Sequence, residues 1–454
     1  MSLPTSNAIG HDRSRWYRRR FDLKGSPMSD SSDRVFDVAI VGAGVAGTAA
    51  AILLAQAGKS VILLERKREV EDYKLLCTHF VQPFANAVFH SIGLGHLLAP
   101  PHSIETKATF YVPGGVIDLE EGYGEDPVTA YAHNLERRVL DPALRQRAIE
   151  AGVTLELCFD VAHLETLAGE QRIVGWRDGQ QARVSARMVA AADGRQSLVA
   201  SLMGATGKSL DNDRAAYFCY CKGIPSPANN RSLFVLHDNE MSFLYPIIEG
   251  RSLLSVYVTM ERSAQWRSVG AIWPQLLERF KTELPMVDFS SAEPDTEVYS
   301  YRKYDNQIRP AVTGGVAFLG DAAVSIDPMS GVGCSFALKS ADLFAKAVLD
   351  HTCDSHSVLA KYAASHASFF EPHITGIVAD SRVSKSTATV EKTYATILRS
   401  KALQKQYLDL TARLISPEVF QRAYLREAIK GNAAPMKPAV VAKSEIRLPT
   451  VGTG

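Results

Sequence analysis

From Val35 onward the chain alternates short apolar runs with longer amphipathic stretches. Val35–Val41 is apolar apart from Asp37, the pattern of a strand buried on both faces of a parallel sheet. Val45–Ala57 is rich in Ala and Leu and stops at Gly58, which predicts a helix with a glycine end. Ser60–Leu64 predicts the next strand and ends at Glu65. Val35–Ala57 as a whole is apolar enough to suggest a membrane span. Asp37 and the glycines at 42, 44 and 47 divide it into strand, turn and helix, which argues for a buried βα unit.

The pattern continues with a helix over about Gln82–Ile92 and strand-like alternation over Thr106–Leu119. An amphipathic helix follows at Leu135–Ala151, then strands at Val153–Leu157 and Arg183–Ala191. Between Ala215 and Met260 short β-rich runs alternate with turns at Pro225–Asn230 and Glu249–Gly250, predicting an antiparallel sheet. Trp273–Leu284 reads as helix, Gly315–Leu319 as a buried strand and about Val332 onward as helix. Ser355–Lys430 is mostly helical and charged. There is no internal repeat.

Composition narrows this picture. A chain of 454 residues is too long for one ordinary core. A hydrophobic content of 46%, a charged content of 22% and a net charge of +1 describe a globular protein without a nucleic-acid-binding charge excess. Six cysteines do not make a disulfide scaffold. Cys219 and Cys221 suit alternate positions on one strand face, as buried thiols in a reducing, cytoplasmic setting. Residues 1–34 are basic, with Arg13, Arg15, Arg18, Arg19, Arg20 and Lys24, and lack an apolar signal core. They read as a disordered extension, with Met28 as a second candidate start. No His, Cys, Asp or Glu spacing predicts a metal site.

Val41-Gly42-Ala43-Gly44-Val45-Ala46-Gly47 gives G-x-G-x-x-G between strand and helix. Gly42 permits the tight turn, Gly44 lets the backbone approach a pyrophosphate, and Gly47 lets the helix pack on the sheet. The phosphates then meet free N–H groups at a helix N-terminus. Glu65 lies 23 residues after Gly42, near the spacing of about 20 for a ribose-binding acid. An acid there favours FAD or NAD over NADP. Gly204-Ala205-Thr206-Gly207-Lys208-Ser209 imitates a phosphate loop, but Leu202 stands where its first glycine is required.

Two further motifs, Ala190-Ala191-Ala192-Asp193-Gly194-Arg195-Gln196-Ser197 and Gly320-Asp321-Ala322-Ala323 with Asp327-Pro328-Met329-Ser330-Gly331-Val332-Gly333, resemble the signatures of class A, p-hydroxybenzoate hydroxylase-like, FAD monooxygenases. Arg137 before Leu140-Asp141 extends the resemblance, which runs from Val35 to about Leu349. It implies an α/β fold: a Rossmann-like FAD-binding domain, an inserted antiparallel β-sheet substrate domain and a helical C-terminal region. The implied limits are 35–214 and 301–352 for the FAD domain, 215–300 for the substrate sheet and 353–454 for the helices with a flexible tail. It implies FAD contacts from Gly42, Gly44, Ala46, Gly47, Glu65, Arg66, Arg137, Asp193, Gly320, Asp321, Pro328, Gly331, Val332 and Gly333. Asp321 can accept hydrogen bonds from the ribityl hydroxyls, and the following helix points its N-terminus at the flavin. Ala200 replaces an Arg common in the family, which bears on direct reduction by NAD(P)H. The electron source is then NAD(P)H or a partner flavin reductase.

Met241-Ser242-Phe243-Leu244-Tyr245-Pro246 has the spacing of motifs in tryptophan-type flavin halogenases and geranylgeranyl reductases, and matches neither in full. Alternation puts Met241, Phe243 and Tyr245 on one face, where they are candidates to line an apolar or aromatic pocket. Cys77 and His79 fall where the reductase branch often carries a Cys-Gly pair, and are further pocket candidates. No acid–base constellation identifies a catalytic residue. The resemblance implies a monooxygenase that passes oxygen to an apolar or aromatic small molecule through a flavin C4a-hydroperoxide. The alternatives are a reductase of the geranylgeranyl reductase type, a divergent flavin halogenase, or a scaffold using the helical tail to bind a partner. Neither a nucleic-acid partner nor a transmembrane segment is expected, and the oligomeric state stays open.

Overall fold

The computed structural model describes residues 34–430 apart from 168, 238, 351–353 and 383–384. The extension expected over 1–34, save Arg34, and the C-terminal tail lie outside the described residues. In chain order, β1 (Val35–Val41) leads through a turn into α1 (Val45–Gln56) and β2 (Val61–Leu64). Next come α2 (Arg137–Glu150), β3 (Phe159–Leu167), β4 (Glu170–Arg177) and β5 (Gln180–Ala191). The strands β6 (Arg214–Lys222), β7 (Ser232–His237), β8 (Glu240–Ile247), β9 (Arg251–Thr259), β10 (Tyr299–Arg302) and β11 (Val316–Phe318) follow. The chain closes with α3 (Gly333–Leu349), α4 (Ser355–Arg382), α5 (Thr387–Leu398), α6 (Lys401–Thr411) and α7 (Pro417–Lys430).

The first sheet has a parallel centre ordered β11-β5-β1-β2, extended by Thr154–Glu156 beyond β2 and by Val312–Thr313 beyond β11. Val38 faces Met188 on one side and Val61 on the other, so β1 is central, as its unbroken apolar run requires. Helices α1 and α3 pack together on one face. The hairpin β3–β4 was not expected from the sequence. It pairs through β4 with the first half of β5, which starts at Gln180 rather than Arg183. Its charged residues, among them Glu165, Glu170 and Arg172, mask the alternation.

The second sheet runs β6-β9-β8-β7 and is antiparallel there, with β10 and Glu293–Pro294 pairing β6. Its far edge is Ala108–Val112, parallel to β7, followed by Gly115–Ile117. That edge comes from the stretch between the two halves of the first sheet, well before residue 215. One face carries Ala215, Tyr217, Cys219 and Cys221, packed with Leu276 and Phe280 of the helix Ile272–Glu283. Both thiols are buried on the face that alternation assigns them. The other face is aromatic, with Phe218, Tyr220, Phe234, Phe243, Tyr245 and Tyr257. The far part of this aromatic face belongs to one cluster with Ile397, Leu403, Leu408 and Tyr424 of α5–α7, and Tyr407 sets its ring edge-on to Phe110 at 5.4 Å.

Candidate cofactor and substrate site

A cavity of about 1570 Å³ runs from the glycine turn to the uncovered part of the aromatic sheet face. That exceeds the roughly 300–1,000 Å³ of a single small-ligand pocket and leaves room for a long cofactor beside a substrate. The first end is built by β1, β2 and α1. Gly42 holds φ +105°, and a Cβ there would lie 2.4 Å from the Ala192 carbonyl oxygen. A Cβ on Gly47 would lie 2.0 Å from the Gly42 oxygen. These two glycines are demanded by packing between protein segments. A Cβ on Gly44 or Gly333 would meet no protein atom within 4 Å, and both residues border the cavity. Their missing side chains leave backbone open to the cavity, the cradle that a pyrophosphate and a flavin ring need. Asp193 adds a buried Oδ1 without a protein partner, while its Oδ2 accepts the Val199 N–H at 3.1 Å. Burial raises the pKa of this carboxyl. The residues present fit a dinucleotide such as FAD.

Of the sequence candidates, Gly42, Gly44, Ala46, Glu65, Arg66, Arg137, Asp193 and Asp321 line the cavity. So do Pro328, Gly331, Val332, Gly333, Cys77 and His79. Gly47 and Gly320 sit behind the wall; a Cβ on Gly320 would press on Ala46 and Ala337. The Glu65 carboxylate accepts N–H groups from Ala43 at 2.7 Å and Lys67 at 3.0 Å, so it braces the glycine turn as well as facing the cavity. Arg137 is held side-on by Asp141, at 2.5 Å from Nε and 2.9 Å from Nη2.

Met241, Phe243 and Tyr245 share a face as alternation predicts, but they do not border the cavity. Phe243 and Tyr245 are each 1% exposed, stacked at 5.5 Å, and buried against Phe80, Phe234 and Tyr257. The wall is made instead by Phe218, Tyr257, Tyr301 and Tyr304. Sequence reasoning could not separate them, because β6 and β9 carry the same alternation and the position of the helical cover has no local signal.

The loop from Val70 to His79 forms another wall, and α2 stitches it in place. Arg137, Asp141 and Arg145 stand at i, i+4 and i+8 on one stripe of that helix. Arg145 is 1% exposed and donates to the carbonyls of Val70 at 2.7 Å, Ala43 at 3.2 Å and Asp72. Asp141 accepts the Lys74 N–H at 2.9 Å. The Arg137 N–H donates to His79 Nδ1 at 3.1 Å. That nitrogen therefore carries no proton, which leaves Nε2–H to donate to Tyr220 Oη, and the Tyr220 hydroxyl donates to the Cys77 carbonyl at 3.3 Å. Both ring nitrogens of His79 are spent inside the wall, at a backbone φ of +63°. His79 shapes the loop and has no nitrogen free for a substrate.

The same loop places two charged groups at the cavity. Lys74 Nζ lies 3.6 Å from Asp321 Oδ2, and that carboxylate holds the ammonium above its ordinary pKa against the opposing effect of burial. Burial alone would raise the Cys77 thiol. The His79 backbone N–H, which the sulfur accepts at 3.4 Å, and the cations Arg137 and Lys74 oppose it and lower the thiol. Across the cavity, burial pushes the Cys334 thiol up to about 12. Behind the Pro328–Ser330 turn, Arg214 pairs with Asp327 and donates to the Asn239 carbonyl at 3.1 Å, tying the turn to the second sheet. Arg145, Tyr257, Tyr301, Tyr304 and the hairpin residues Asp160 and Trp176 are site-forming residues that the sequence did not single out. Among the described residues no group of His, Cys, Asp or Glu is arranged to hold a metal ion, and no helix is long and apolar enough to cross a membrane.

A family described as FAD binding domain matches residues 35–368. The digeranylgeranylglycerophospholipid reductase 1 of Methanopyrus kandleri is 28% identical over 320 residues, which are 67% of this chain and 77% of that protein. Among solved structures, a flavoprotein/dehydrogenase from Cytophaga hutchinsonii superposes with a TM-score of 0.71 at 16% identity, covering 88% of this chain and all of the other. The p-nitrophenol 4-monooxygenase PnpA from Pseudomonas putida superposes at 0.64 and 17% identity, covering 86% and 97%.

Proposed function

On the premise that the chain belongs to the FAD binding domain family and is an FAD-dependent oxidoreductase, we propose that it is a monooxygenase acting on an apolar or aromatic small molecule. One observation carries this reading: the cavity ends on an aromatic wall of Phe218, Tyr257, Tyr301 and Tyr304. Bound FAD supplies the two-electron and oxygen chemistry. The chain's own tasks are to hold the cofactor, exclude water and orient the substrate. In this reading Gly44 and the α1 N-terminus receive the pyrophosphate, Glu65 the ribose, and Asp321 the ribityl chain. The α3 N-terminus beyond Gly333 favours negative charge on the flavin ring. The electron source in this proposal is NAD(P)H, directly or through a partner reductase.

Supplying reduced holoprotein with ¹⁸O₂ and a panel of hydrophobic aromatic compounds tests the reading. The expected result is a product heavier by one labelled oxygen. A second reading, reduction of a carbon–carbon double bond, is favoured by the similarity to the Methanopyrus kandleri reductase. Substrate turnover without oxygen, giving a product heavier by two hydrogens, would establish it and remove the first.

A further inference from the structure

Three tyrosines of the cavity wall differ in what their hydroxyls can offer. The Tyr304 hydroxyl pairs with Ser325 Oγ at 3.0 Å, and its ring lies under the Arg195 guanidinium at 4.1 Å. Tyr301 on β10 donates its proton to Tyr257 Oη on β9 at 2.8 Å. A phenol has one proton and two lone pairs, so Tyr257 accepts from Tyr301 and still has its own proton to give. Among the described residues no protein acceptor takes that proton. Tyr257 is 1% exposed and packs tilted against Phe243 at 5.2 Å and edge-on to Tyr301 at 6.2 Å. Its ring cannot swing out to reach bulk water. Burial keeps the hydroxyls of Tyr257 and Tyr301 protonated. The pair is thus a fixed, neutral donor set in a surface that is otherwise aromatic.

We propose that Tyr257, backed by the Tyr301 hydroxyl, is a specificity-determining donor for one hydrogen-bond-accepting oxygen on the substrate. The inference rests on reading this end of the cavity as the substrate pocket. It defines the ligand class more closely: an apolar or aromatic body bearing a hydroxyl, carbonyl or carboxylate oxygen, which excludes a plain hydrocarbon. A buried donor left without an acceptor is costly, so a ligand lacking the oxygen is rejected as well as bound less tightly. The donated bond from Tyr301 polarises the Tyr257 hydroxyl and strengthens the bond that Tyr257 gives.

The test is a binding titration on oxidised FAD-loaded protein, read from the ligand-induced change in the flavin absorption spectrum. The probes are 2-naphthol and naphthalene, which share a ring system and differ by one oxygen. The wild type is expected to bind 2-naphthol about tenfold more tightly than naphthalene. Tyr257→Phe is expected to erase the preference while keeping the flavin spectrum of the wild type, with a lower thermal midpoint because the Tyr301 hydroxyl loses its acceptor. Tyr301→Phe is expected to reduce it partway. Equal binding of the two probes by wild type, or a preference that survives Tyr257→Phe, overturns the proposal. Neither measurement involves turnover, so failure of the oxygenation experiment leaves this result readable on its own.

Discussion

At the scale of single residues, the glycines of the first turn divide by what surrounds the space their side chains lack. Gly47→Ala drives a methyl group to 2.0 Å from a backbone oxygen, so the expected outcome is a loss of stability of about 3 kcal/mol or more. Gly44→Ala meets no protein atom. It is expected to leave the thermal midpoint of the cofactor-free protein in place and to weaken FAD binding, measured by equilibrium dialysis. Similar midpoints for the two variants would contradict the assignment. Cys77 gives a pH-dependent expectation. Its thiol is held below an ordinary 9.0, so folding favours the thiolate. The stability this supplies is fully present above pH 9 and is lost as the pH falls through the lowered value. Alkylation of Cys77 by iodoacetamide, followed by peptide mass spectrometry, should therefore rise well below pH 9. A rise centred near pH 9 would show that His79, Arg137 and Lys74 do not act on it.

At the scale of elements, the stripe Arg137, Asp141, Arg145 turns one helix face into a template for the loop before it. Arg145→Met keeps most of the side-chain volume and strands three carbonyls. It is expected to cost about 3 kcal/mol or more in chemical denaturation and to lower FAD affinity as the loop loosens. Affinity unchanged in a destabilised variant would separate the loop from the cofactor site. Elements are also where the sequence was most and least legible. The βα turn, α2 and the strands of the second sheet could be read because burial enforces their periods. The hairpin β3–β4 could not, since it is partly solvated and charged. Glu65 and Asp321 could be placed at the cavity from the sequence because backbone geometry ties their positions to nearby glycines. Met241, Phe243 and Tyr245 share the face that alternation assigns them and do not line the cavity. Alternation reports a face, and only the tertiary position of α5–α7 reports which part of that face is covered.

At the scale of the whole molecule, two sheets and a helical cover share one aromatic surface. Leu408 is fully buried in that cover. Leu408→Asp places an unpaired charge against the aromatic layer and is expected to lower the thermal midpoint by several degrees. Binding of a hydrophobic dye should rise with it, while the glycine turn, on the far sheet, keeps its capacity for FAD. Unchanged dye binding would mean that α5–α7 do not seal the sheet. None of the described residues that line the cavity comes from α5–α7, so cover and cavity occupy separate stretches of one sheet face. Tyr407 meets Phe110, and Leu398 lies over Gly115, at the edge of the sheet that the cavity does not reach. The aromatic surface thus serves two unlike duties side by side, and a change made for one need not disturb the other.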